Sequence, residues 1–362
     1  MGSRALTFIL KNADLNAFTL WNVHDMNSTL RQWQTDLNPF GQHTRFLSYC
    51  ADVKEMYTGL PHDSIIRAVE FVLHRCTQVN RRGRRRCVKL ERVKRGSIAF
   101  GRADPFLMSQ FVTLTFEDIL RICSTDIRTC FFASLSTILR QVVGVPMGSP
   151  GSPAYAICIC MYYEHQFHAS IHDYLTLIRV RDPSRCFRFM RYVDDVFGLV
   201  AWDARRPHTR ILAQHIIHVL AQNTYHPNMH LKEVPSHGWF PFLEALINVP
   251  ITGEMRVQFH VKNYASIVAT GLPKLYTIQH RTSFMSRTAA INKVLGSLHR
   301  LRRTVTEPVL IICNVMELSV VYHNLGYSVG VMCSAIQRLA KRFQDEPIWT
   351  HIHPLIESLL PS

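Results

Sequence analysis

Apolar residues recur along this chain at strand and helix spacings that divide most of it into predictable elements. Residues 1–45 read as mixed helix and loop. Over 44–53, Phe46, Leu47, Tyr49, Ala51 and Val53 predict a strand. Pro61-His62-Asp63 then opens a helix, with Ile65, Ile66, Val69, Val72 and Leu73 following at helical spacing. Another helix begins at Thr115-Phe116-Glu117-Asp118 and runs to about Thr125. Residues 131–143 read as a strand pair, and 144–153, dense in Gly, Pro and Ser, as a loop. A long apolar helix follows over about 153–174. Two apolar runs, 186–190 and 196–200, flank Tyr192-Val193-Asp194-Asp195 and predict a tight hairpin. A helix over 205–223 comes next, then short strands near 231–234, 242–249 and 256–261. The last hundred residues are helical and basic, with no internal repeat.

This order predicts an α+β fold: an antiparallel sheet with helices on one face, followed by a helical region. The chain has 362 residues, 47% of them hydrophobic, enough for two or three domains with a sizeable core. Its formal net charge of +15 predicts attraction to a polyanion, either nucleic acid or an anionic membrane surface. No apolar run reaches the roughly 18 residues a membrane span needs. The nearest, 309–322, is broken by Asn314 and Glu317. The first residues carry too short an apolar stretch for a secretory signal, and position 6 lacks the Ser or Thr of a myristoylation site.

Ten cysteines without a C-x-x-C pair read as reduced thiols of an intracellular protein. His165, His168 and His172 share a helical face, but no Cys or acidic residue at suitable spacing completes a zinc site. Residues 80–95 are densely basic, with a turn at Arg81-Arg82-Gly83. They suit either a solvated basic hairpin or a phosphate-contacting arm.

Chemistry concentrates at three places. Asp194 and Asp195, adjacent at a hairpin tip, repel each other unless something neutralises them. A divalent cation with hard oxygen ligands is the usual remedy, although an Asp-Asp pair also suits a plain solvated turn. Asp52 ends the strand predicted over 44–53, with Tyr57 five residues on. The Gly144 to Pro153 loop caps a helix and offers exposed N–H groups suited to phosphate or template contacts.

These blocks, in this order, resemble the reverse transcriptases, and within them the Penelope-like retroelement enzymes, which are relatives of telomerase. Asp52 with Tyr57-Thr58-Gly59-Leu60-Pro61-His62 resembles their first palm motif. Gly144-Val145-Pro146-Met147-Gly148-Ser149-Pro150, Ser152-Pro153 and the downstream Ala156, Met161 and Glu164 are similar to the second, and Tyr192-Val193-Asp194-Asp195 to the third. Pro241-Phe242-Leu243-Glu244 resembles the strand that grips the primer end, and Asn324-Leu325-Gly326-Tyr327-Ser328 a motif late in the thumb. The resemblance spans about residues 45–345. It implies a polymerase palm over 46–260 with a basic insertion about 80–106, a helical thumb over 261–362, and a remnant of the fingers over 1–45.

The implied activity is RNA-directed DNA polymerisation, with an RNA template, a DNA primer and deoxynucleoside triphosphates as partners and no membrane. Two Mg²⁺ ions, replaceable by Mn²⁺, would be held by Asp52, Asp194 and Asp195. Asp195 is the weakest of the three, because strand neighbours point to opposite faces. Lys232 stands where a general acid for pyrophosphate is often found, and equally suits a solvated strand edge. Val53, Tyr57, Met147 and Gly148 would contact the nucleotide. Tyr57 would clash with a ribose 2′-hydroxyl and so select deoxynucleotides, or would simply anchor the helix start in the core. Met147 would pack on the base or sugar. Pro146, Tyr192, Phe242 and Leu243 would contact primer or template, though Phe242, Leu243 and Tyr192 also suit plain sheet packing. Chromosomal DNA as destination implies the nucleus.

Two departures stand out. Gly151 replaces the usual Leu, loosening the start of the helix by up to about 1 kcal/mol. Only 51 residues precede Asp52, where the family places its fingers, and the Lys/Arg block of that region is missing. No GIY-YIG nuclease pattern occurs. A working polymerase is therefore the first reading. The second is a truncated retroelement remnant that binds nucleic acid without efficient polymerisation, and the third a basic scaffold with a coincidental acidic turn.

Overall fold

The computed structural model describes residues 1–78, 87–93, 96–101, 109–177, 182, 185–235, 238–250, 255–273, 280–281, 283, 285–344 and 346–359. Most of the basic 80–95 stretch lies outside them. The chain forms two compact units, Met1–Trp21 with Leu37–Glu233, and Asn22–Asp36 with Val234–Ser362. One boundary between the units falls at Glu233–Val234.

At the centre of the first unit is a four-stranded antiparallel sheet in the order β7-β8-β1-β9. Its strands are β1 (Thr44–Lys54), β7 (Phe187–Tyr192), β8 (Asp195–Asp203) and β9 (His230–Glu233). One face carries Tyr49 and Ala51 of β1, Phe187 and Phe189 of β7, and Val200 of β8. These pack against Phe167, Ile171 and Leu175 of α5 (Ser152–Leu177) and Ala213, Ile216 and Leu220 of α6 (His208–Asn223). Val53 and Val196, on the same face, join a second cluster with Ile65, Ala68, Val69 and Val72 of α3 (His62–Gln78) and the first half of α5. Over that half α5 is apolar nearly all round, as a helix enclosed on most sides must be. α1 (Gly2–Asn12) contributes Ala5, Leu6, Ile9 and Leu10 to the same cluster.

α4 (Phe116–Arg128) starts in a capping box, in which Thr115 Oγ1 accepts from the Asp118 N–H and Asp118 accepts from the Thr115 N–H. Ahead of it lies a small antiparallel sheet, β3-β2-β4, of β2 (Cys87–Glu91), β3 (Ile98–Phe100) and β4 (Phe111–Thr115), unexpected from the sequence. Alternation of buried Val88 and Leu90 was its only signal, hidden within the basic run. The strand pair expected over 131–143 is a ribbon of β5 (Phe131–Ser134) and β6 (Thr137–Arg140), exposed at every residue. Leu135 and Ser136 turn it with φ of 47° and 67°, the double left-handed conformation of a type I′ turn.

In the second unit, β10 (Trp239–Phe242), β11 (Ala245–Asn248) and β12 (Arg256–Phe259) form a meander. The single strand expected over 242–249 is thus interrupted by a two-residue turn, Leu243-Glu244, with Leu243 at φ 60°. α2 (Met26–Asp36), α7 (Tyr264–Thr270), α8 (Arg287–Thr304), α9 (Pro308–Asn324), α10 (Val329–Arg342) and α11 (Ile348–Leu359) complete the unit. Leu298, Leu301, Val315, Tyr322, Ile336 and Trp349 belong to its core. Arg302 of α8 lies over the Phe343 ring at 3.7 Å and is ion-paired with Glu346.

All ten cysteines are free thiols, seven of them buried. No described helix is long and apolar enough to cross a membrane.

Gly198 of β8 faces Phe189 of β7, and a Cβ there would lie 1.8 Å from the Phe189 ring. Gly198→Ala is expected to lower unfolding free energy by about 1–3 kcal/mol, read as a shifted urea midpoint at unchanged slope.

Candidate active site

Asp52 lies near the end of β1, directly opposite Asp195 of β8 on one side and Lys232 of β9 on the other. Cross-strand partners share a face of the sheet, and so do alternate residues of one strand. Asp52, Lys54, Tyr192, Asp195 and Lys232 therefore lie on the face opposite the helices. The hairpin between β7 and β8 has a two-residue loop, Val193-Asp194. Val193 is at φ 57°, as in a type II′ turn, where glycine is the usual residue. Its side chain packs on the core beneath. The N–H of Val53 donates to the Asp194 carbonyl at 2.7 Å, tying the hairpin tip to the strand of Asp52.

The three acids are thus neighbours in the folded chain. Asp195 does not turn away as strand alternation suggested, because Asp194 belongs to the loop and Asp195 begins the strand.

A lysine that sequence reasoning passed over stands among them. Lys54 Nζ lies 2.6 Å from Asp52 Oδ2. The pKa of Lys54 is raised, chiefly by this hydrogen bond and, against slight burial, by the charges of Asp52, Asp194 and Asp195. Its signal was the i, i+2 spacing from Asp52, which puts both on one face. Burial pushes the Cys50 thiol up to about 12, with Asp195 and Asp52 adding to the shift. Tyr57 is half-buried, and its phenol is raised by burial first and then by the charge of Asp194.

The donor set is three hard carboxylates with a competing ammonium, which fits Mg²⁺ in ligand type. Among the described residues, the His, Cys, Asp and Glu ligand atoms that gather in a group of three within 4.8 Å of one another are those of Cys333, His353 and Glu357 in the second unit, not the three aspartates. The histidine face of α5 gathers no such group either. His165 Nδ1 accepts from the Asn16 N–H, and burial lowers the pKa of His168.

The first and second sequence blocks are joined through their backbones. The Val145 N–H donates to the Tyr57 carbonyl at 2.7 Å and that of Gly144 to the Leu60 carbonyl at 2.8 Å. His62 Nε2 is 2.9 Å from the Gly144 carbonyl oxygen. Beyond this junction Pro146 is half-buried, and its carbonyl accepts from the Ser152 hydroxyl at 2.6 Å. Met147, 74% exposed, and Gly148, at φ 101° with open space around it, present themselves to solvent. Gly151 has a packing reason. A Cβ there would meet Asp126 Oδ2 and the Tyr155 ring, each at 2.7 Å, and these two groups are hydrogen-bonded to each other.

Beneath the hairpin lies a second group, of which the sequence motifs single out only Glu164. Arg191, on the helix side of β7, forms an ion pair with Glu164 of α5, and both side chains are 0% exposed. Arg191 Nη1 donates to the Val193 carbonyl at 2.8 Å and Nη2 to Thr19 Oγ1 at 2.9 Å. Glu164 also accepts from the Tyr225 hydroxyl and the Phe18 N–H.

Of the remaining expected site residues, Val53 is buried, Tyr192 half-buried and Lys232 exposed. Phe242 and Leu243 belong to the second unit. Phe242 is 1% exposed, so its ring serves the core, while Leu243 occupies the hairpin turn rather than a strand.

No family model matches the sequence, and no curated protein matches it. Among solved structures, apo telomerase from Candida tropicalis is similar over 97% of this chain and 52% of its own, with a TM-score of 0.50 and 12% identity. Telomerase from Candida albicans, in complex with a TWJ fragment of telomeric RNA, aligns over 100% of this chain and 59% of its own, with a TM-score of 0.47 and 11% identity. The chain thus spans about half the length of the telomerases it matches. The fold it shares with the first is the reverse-transcriptase type, an antiparallel palm sheet followed by a helical thumb.

Gly144 is at φ 77°, and a Cβ there would lie 2.4 Å from the Tyr57 carbonyl oxygen. Gly144→Ala is expected to break the junction between the two loops and to lower stability by about 1–3 kcal/mol in urea unfolding.

Proposed function

We propose that this chain is an RNA-directed DNA polymerase of the Penelope-like retroelement type, extending a DNA primer with deoxynucleotides along an RNA template. The observation that carries the reading is the β1–β8 register. It sets Asp52 opposite Asp195 while the Val53 N–H holds the Asp194 carbonyl, so three acids from two separated motifs meet at the hairpin end of the sheet. The telomerase-like fold and the net charge of +15 support a nucleic-acid partner. The retroelement assignment rests on the sequence motifs, and a chromosomal target would put the protein in the nucleus.

Asp52, Asp194 and Asp195 would hold two Mg²⁺ ions, or Mn²⁺ in their place, which when bound lower the pKa of the primer 3′-hydroxyl and take up charge on the leaving pyrophosphate. For the acids to serve, Lys54 must give up Asp52 Oδ2, and its ammonium is then free for a phosphate oxygen. Tyr57 stands beside Asp194 as the group that excludes a ribose 2′-hydroxyl. Met147 and Gly148, both open to solvent, border the nucleotide, whereas the Val53 side chain faces the core and serves through its N–H to Asp194. Pro146 and Tyr192 border the template and primer. Lys232, in register with Asp52, is the candidate general acid toward pyrophosphate.

The Lys54–Asp52 pair favours a second reading, in which the site binds nucleic acid but resists metal loading and polymerises poorly. Primer extension on an RNA template with Mg²⁺ separates the two. Asp194→Ala is expected to reduce incorporation at least about 100-fold. Equal incorporation by wild type and Asp194→Ala sinks the polymerase reading, and tight template binding without incorporation favours the second.

A further inference from the structure

The ion pair of Arg191 and Glu164 calls for an explanation that stability does not supply. Burying two opposite charges removes their hydration, and that loss offsets most of the attraction they regain. Apolar residues of similar volume commonly serve a core as well or better. Yet this pair is wholly enclosed, and its polar atoms are engaged throughout. Glu164 Oε1 takes the Arg191 Nε and the Tyr225 hydroxyl, and Oε2 takes the Phe18 N–H at 3.0 Å and Arg191 Nη2 at 3.3 Å.

The main chain of Arg191 is clamped as well. Its N–H donates to the Phe18 carbonyl at 2.6 Å and its carbonyl accepts from the Leu20 N–H at 2.7 Å. One arm of this anchored guanidinium, Nη1, leaves the pair and reaches the Val193 carbonyl. Val193 is the residue of the loop at positive φ, a conformation that β-branched side chains disfavour. The two residues after it are Asp194 and Asp195.

We propose that Arg191, seated on Glu164, is a positioning residue that fixes the acidic turn by its Val193 carbonyl and so keeps Asp194 and Asp195 aligned with Asp52. The inference rests on the reading of these acids as metal ligands. Arg191 lies on the helix side of the sheet and touches neither substrate nor metal. Its role needs the guanidinium fork as well as the charge. A lysine can neutralise Glu164, but it cannot span Glu164, Thr19 and the Val193 carbonyl at once.

The test uses the full chain and Mn²⁺ as probe, with free Mn²⁺ counted by electron paramagnetic resonance. Thermal unfolding and primer extension are followed in parallel. Wild type is expected to bind Mn²⁺ and Asp52→Asn to bind it weakly. Arg191→Lys, folded by circular dichroism, is expected to bind Mn²⁺ at least about 10-fold more weakly than wild type and to lose a similar factor in kcat, as supports of metal ligands do. Arg191→Lys that binds Mn²⁺ and extends primers like wild type overturns the inference while leaving the active-site reading intact. Wild type that binds Mn²⁺ no better than Asp52→Asn overturns both.

Should Arg191→Lys fail to fold, Thr19→Val and Tyr225→Phe each remove one hydroxyl from the network. Each is expected to weaken Mn²⁺ binding about 2- to 5-fold, toward the lower end of such effects. Unchanged binding in both overturns the inference.

Discussion

In a pleated sheet, moving a strand past its neighbour by one residue exchanges the faces of that strand. Between β1 and β8 the present pairing sends Tyr49, Ala51 and Val53 toward the helices and Asp52 and Lys54 away from them. A slip of one residue would aim Asp52 into the apolar clusters under α3, α5 and α6, at the cost of burying a carboxylate. The packing of one face therefore dictates the chemistry of the other. The hydrophobic core selects the register, and the register gathers the acids.

Electrostatics on the two sides of this sheet follow opposite rules. At the hairpin end of the side away from the helices, Asp52, Asp194 and Asp195 are partly solvated, and Lys54 and Lys232 flank Asp52 on its face. On the closed side, Arg191 and Glu164 have no water to turn to, and their hydrogen bonds fix a single arrangement. The hairpin joins these environments within five residues, Arg191 to Asp195. Its strained Val193 is where the closed side, by way of its carbonyl, and the open side, by way of Asp194 and the Val53 N–H, pull on the same turn.

Much of this was legible in the sequence. β1, α3, α5 and the acidic hairpin announce themselves through long apolar patterns, and the motif order anticipated which loops meet. What escaped did so for identifiable reasons. Arg191 sits in an apolar strand run, and nothing local reveals that its partner is a glutamate 27 positions earlier. Lys54 lies in a stretch whose carboxylate and aromatic drew the attention. The turn at Leu243-Glu244 uses residues without turn preference, so two strands read as one. Gly151 suggested only a loosened helix, because the contacts of Asp126 and Tyr155 that exclude a larger residue appear only on folding.

The ribbon of β5 and β6 has a mechanical consequence. Its eight strand residues are all exposed, Leu135 at the tip to 98%, so it is held mainly by the cross-strand ladder and the turn, with Arg140 Nε donating to the Arg128 carbonyl at its base. A two-stranded hairpin with so little burial opens at small free energy. Immediately after it the chain is stiffened, since Gly144 and Val145 are both bonded to the Tyr57–Leu60 backbone. Residues 131–143 thus form a compliant arm on a mount that is pinned directly to the Tyr57–Leu60 backbone.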